Sequence, residues 1–97
     1  MATDIIVKHR VTDFNTFKPG FDALVRMFAQ ETGAQGHHIH HVLGDPNDVI
    51  VTVLGVTDAD RARSLFASED FKAEMGKIGV CSAPEITFGA RVEDVRY

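Results

Sequence analysis

An α+β domain, with one four-stranded antiparallel sheet and its helices gathered on a single face, is the architecture this sequence predicts. Three observations lead there. Two β-branched stretches, "DIIVKHRV" at 4–11 and "DVIVTVLGV" at 48–56, alternate or run apolar as strands do. Between them Phe14, Phe17, Phe21, Leu24 and Phe28 recur at steps of three and four, the spacing of one helical stripe. The elements follow as strand, helix, strand, strand, helix, strand, the ferredoxin-like βαββαβ unit.

In the first strand, 4–11, Ile5, Val7, His9 and Val11 share one side and Ile6, Lys8 and Arg10 the other. Thr12-Asp13 offers a cap. Because Pro19 lacks a backbone donor, a short turn at 14–17 and a main helix over 19–31 are expected, with Gly33 ending it. The second strand, 34–43, carries four histidines, and Gly44-Asp45-Pro46-Asn47 supplies the turn of a hairpin. The third strand, 48–56, is apolar on both faces, which suits a central position. Thr57-Asp58 caps a short helix over 59–66. Ser68 caps another with Phe71, Met75 and Ile78 on its inner stripe, and Gly79 stops it. Pro84 precedes a fourth strand, 85–92, with Ile86, Phe88, Ala90 and Val92 on one face.

The 97 residues fit a single domain, 1–97, and 44% hydrophobic with 25% charged residues is ordinary for a folded globular chain. A formal charge of −4 opposes nucleic-acid binding, which needs a clustered basic surface. No apolar run approaches the roughly 18 residues of a membrane span, and the first residues do not read as a signal peptide, so a cytoplasmic location is expected. The lone Cys81 has no internal disulfide partner, which agrees with a reducing compartment, and reads as a small buried hydrophobe. Helices on one face leave the other face of the sheet open. Burying it against a second copy resolves that liability, so a homodimer is expected.

With its βαββαβ order, Phe-rich first helix, broken helical run "DADRARSLFASEDFKAEMGKIGV" and closing strand "PEITF", the chain resembles the dimeric α+β barrel superfamily. Nearly the whole chain is covered, and the likeness is to the small antibiotic-biosynthesis-monooxygenase-like and stress-responsive barrel proteins. That resemblance implies two sheets paired into a barrel and a pocket in each subunit between sheet and helices. It also implies several activities, including cofactor-free oxygenases, haem-degrading enzymes, isomerases and polyketide cyclases. The quinone-forming and haem-degrading branches rely on a Trp, often with an Asn, and this sequence has no Trp. Val7-Lys8-His9 matches the first strand of the plant polyketide cyclase, whose His lies in the pocket. The cyclase's second His, on its second helix, has no counterpart between 59 and 78.

His9 is the catalytic candidate: on the apolar side of the first strand, a neutral imidazole can act as general base toward an acidic C–H or a phenol. The alternative is a core histidine satisfied by a backbone carbonyl. Phe17, Phe21 and Phe28 are core residues that can also wall an apolar ligand. In "GHHIHHV", His38 and His40 share one face and His37 and His41 the other. His38 and His40 are the ligand-binding candidates here, although the spacing leaves open which pair faces the pocket. A metal site would need further ligands, with Asp45 or Asp48 as the available additions, and none is expected, nor any cofactor. Lys8, Arg10 and Arg91 face the dimer side; they could form an anion site within the barrel, but ion pairs with Glu85, Glu93 or Asp94 across the subunit contact are the expectation. An apolar small molecule is the expected partner besides a second copy of the chain. Either it is processed with His9 as base or it is bound by a noncatalytic barrel, and both readings require a chamber of a few hundred cubic ångströms beside His9.

Overall fold

β1 (Thr3–Arg10) occupies the interior of the sheet, antiparallel to β3 (Asp45–Val56) on one side and to β4 (Glu85–Ala90) on the other. The computed structural model of the chain describes residues 2–97. β2 (Gly36–Val42) pairs with the outer side of β3, giving the strand order β2-β3-β1-β4 of the expected ferredoxin-like arrangement. The helices α1 (Phe14–Thr32), α2 (Ala59–Ala67) and α3 (Glu69–Lys77) lie on one face. Their apolar stripes cover Ile5, Val7, Val49, Val51 and Val53, all buried. Alternation along β1 is clean: Ile5, Val7 and His9 are buried while Ile6, Lys8 and Arg10 are exposed.

α1 runs unbroken through Pro19, where a turn and a separate helix were expected. A proline in the second turn removes one N–H, leaving the carbonyl of the exposed Asn15 to water. The first turn is held from outside instead. Asp13 accepts hydrogen bonds from the Thr16 N–H at 3.0 Å and the Thr16 hydroxyl at 2.9 Å, and the Phe14 N–H donates to Asn47 Oδ1 at 3.0 Å. Gly33, at φ 75°, closes α1 by donating to the Ala29 carbonyl. Gly20 lies where α1 meets the end of α3: a Cβ there would fall 2.5 Å from Ile78 Cγ2, so only glycine permits this approach.

The hairpin also differs from expectation. Its turn is Leu43-Gly44, with Leu43 97% exposed, and Asp45, Pro46 and Asn47 already belong to β3. The register shifts between His41 and Val42, so Pro46 and Asn47 sit in an irregularity, where a missing ladder donor is tolerated. A second bulge lies between Thr3 and Ile5, opposite Gly55 at φ 67°. The Gly55 N–H donates to Asp4 Oδ1 at 3.0 Å. β4 ends at Ala90, two residues short of the expected strand, and Val92 is exposed rather than aligned with Ile86 and Phe88.

Candidate functional site

The chamber between sheet and helices is a small apolar cavity of about 60 Å³. Its floor is Val7, His9, Val51 and Val53, and Phe17, Phe21 and Phe28 of α1 stand over it. Phe66, Phe71 and Met75 come from α2 and α3. All three phenylalanines singled out from the sequence are therefore in place, but they fill most of the space. A chamber of a few hundred cubic ångströms was expected; this one has room for about two waters.

His9 is 6% exposed and meets Phe17 edge to face with ring centroids 5.5 Å apart. Its Nδ1 is buried with no hydrogen-bond partner among the described residues. No other described residue satisfies this atom, so the site carries a poorly matched polar group in an apolar cavity. Burial lowers the imidazole pKa below its ordinary value, opposed by its own main chain and by the charge of Asp48. The ring is accordingly neutral at neutral pH, with a nitrogen lone pair free to accept a proton.

The histidines of β2 divide as alternation requires. His37 pairs with Val53 and His41 with Val49, so both lie on the helix side, edge-on to Phe21 at 5.3 Å and Phe14 at 5.6 Å. His38 and His40 pair with Thr52 and Ile50 on the open face, away from the chamber. A four-residue turn at 44–47 would have set His38 opposite Val53; the actual hairpin is offset by one residue, and that offset exchanges the faces. The His38 and His40 rings are 6.2 Å apart, and no group of three metal-binding side chains is assembled among the described residues. Asp45 and Asp48, the additional ligands considered, face Arg10 at 2.9 Å and Lys8 at 3.8 Å.

Within the chain, the charges of the open face form ion pairs of their own. Arg91 grips Asp4 with two bonds of 2.8 and 2.7 Å, and this holds the Asp4 carboxyl below the usual carboxylate range. Cys81 is exposed, correcting its reading as a buried hydrophobe: it lies past the bridge of Val11 to Val80, beyond the helix-covered core.

A second cavity, of about 280 Å³, lies between α1 and the start of β2. It shares Val25 and Val53 with the chamber. Sequence reasoning missed it, since it depends on which face of β2 turns toward α1.

No protein-family model matches the chain, and no curated protein sequence matches it. Solved structures do. SnoaB, a cofactor-independent oxygenase from Streptomyces nogalater, superposes with a TM-score of 0.75 at 17% identity over 98% of this chain and 97% of its own. A candidate antibiotic biosynthesis monooxygenase from Bordetella bronchiseptica gives a TM-score of 0.73 at 17% identity, covering 96% of this chain and all of that one. Another, from Caulobacter crescentus, gives 0.66 at 21% identity over 94% and 90%. The chain thus has the α+β fold of these antibiotic-biosynthesis-monooxygenase-like structures.

Proposed function

We propose that the protein binds an apolar small molecule between its sheet and helices, the phenylalanines over the 60 Å³ cavity moving apart to admit it, and acts on it as a cofactor-free tailoring enzyme, with His9 as general base. The observation that carries this reading is the buried, unpartnered Nδ1 of His9 in an otherwise apolar chamber. A bound phenol or acidic C–H would supply its missing donor, and neutral imidazole is the form that accepts a proton. Proton abstraction of this kind begins cyclisation, isomerisation and cofactor-free oxygenation alike. The likeness to SnoaB, described as a cofactor-independent oxygenase, favours the same class. Two copies would close the open sheet faces on each other, covering Ile6, which is 41% exposed in the single chain. The exposed Cys81 suits a reducing, cytoplasmic setting.

The edge-to-face packing of His9 on Phe17 favours a second reading, a noncatalytic ligand-binding barrel in which His9 only packs. Thermal shift of wild type and His9→Ala with a panel of naphthols and matched naphthalenes separates the two. A general base predicts that naphthols raise the wild-type midpoint more than naphthalenes do, and that His9→Ala loses this difference. Equal shifts in both proteins would remove His9 from the site.

A further inference from the structure

We infer that the groove between α1 and the start of β2 holds an anionic end of the ligand, with Arg26 and His37 as its recognition groups, while the apolar end passes Val25 and Val53 toward His9. This rests on the reading proposed above and specifies the ligand it takes. The chamber, at about 60 Å³, is too small to hold a ligand by itself, whereas the groove beside it measures about 280 Å³. Val25 and Val53 belong to both walls, so the two spaces are neighbours across a pair of valine side chains.

The charges lining the groove point to an anion. Asp22 is matched by Lys18 at 2.6 Å. Arg26, one turn further along α1, has no ion-pair partner among the described residues. Its guanidinium fork fits a carboxylate or sulfonate. His37 and Gln35 complete the polar lining, and the contact of His37 with Phe21 places it at the boundary with the chamber. Distance sets the shape of the molecule. His9 is opposite Val49 and His37 opposite Val53, four residues along β3 (about 13 Å) and, with β1 and β2 on opposite sides of β3, two strand spacings across it (about 10 Å), so the two positions are about 16 Å apart. An elongated apolar molecule, anionic at one end and reactive at the other, matches both compartments.

Two fluorescent probes test this: 8-anilinonaphthalene-1-sulfonate, and N-phenyl-1-naphthylamine, the same ring system without the anion. Arg26→Gln is expected to weaken binding of the sulfonate about fivefold and to leave the neutral probe within about twofold. The same change at Arg10, on the opposite face of the sheet, should alter neither. Unchanged sulfonate affinity in Arg26→Gln, or equal weakening of both probes, would overturn the assignment of the groove while leaving the chamber intact. Failure of the neutral probe to bind wild type would instead count against the chamber itself.

Discussion

The two faces of this sheet are built from neighbouring residues of the same strands, yet they have opposite chemistry. On the helix side, Val7 and His9 enter an apolar chamber in which one nitrogen has no partner among the described residues. On the other side, Lys8 and Arg10 meet Asp48 and Asp45, and Arg91 meets Asp4. The open face pairs Lys8, Arg10 and Arg91 within the chain, and the covered face leaves one buried group unsatisfied. An unmatched group is costly where water cannot reach it, so the difference marks the helix side as the place to look for chemistry.

The largest test of that contrast is Phe17→Ala. Phe17 is 1% exposed and touches both His9 and Phe21, so its loss should cost about 3–5 kcal/mol in denaturant melts. A cost below about 1 kcal/mol would mean that the chamber is looser than its packing indicates. Next comes Ile6→Asp on the open face. Subunit secondary structure by circular dichroism should persist, while the dissociation constant of the proposed dimer, read in sedimentation, rises at least tenfold, about 1.4 kcal/mol. A dimer untouched by this change would place the subunit contact elsewhere.

The smallest effect, and the most specific, belongs to His9→Phe. Replacing an unpaired buried imidazole by an apolar ring of similar shape should raise stability by about 1 kcal/mol at pH 7. The sign with pH follows from the lowered pKa. The unfolded chain takes up its proton near pH 6.5 while the folded imidazole resists, so wild-type stability falls as pH drops below that value and levels off below the folded pKa. His9→Phe should lack that decline. A decline of equal size in both proteins would assign it to another group.

Much of this was legible in the sequence. Alternation in "DIIVKHRV" placed His9 beside Val7 on the covered side, and the Phe stripe identified the helix that covers it. Two features were not legible. Pro19 signals a break, but the first turn of α1 is held by the Asp13 cap and, through a contact 33 residues away in sequence, by Asn47. The faces of the histidine strand depend on a one-residue offset at Leu43-Gly44, while Asp45-Pro46-Asn47 looks like a turn and is a bulge. Composition cannot reveal such an offset, because β3 is apolar on both sides and accepts either register.

The close passage of Gly20 against Ile78 bears on how easily the protein changes what it accommodates. Depth at that end is set by a helix crossing, not by the strands, and Ile78 is itself part of the wall. A chain with alanine at 78 would gain room with His9 and the sheet untouched, and one with a larger residue at 20 would have to lift α1 to make space. The room in the chamber is therefore adjustable from two positions that lie outside the sheet, which lets one scaffold vary what it admits while its strands stay as they are.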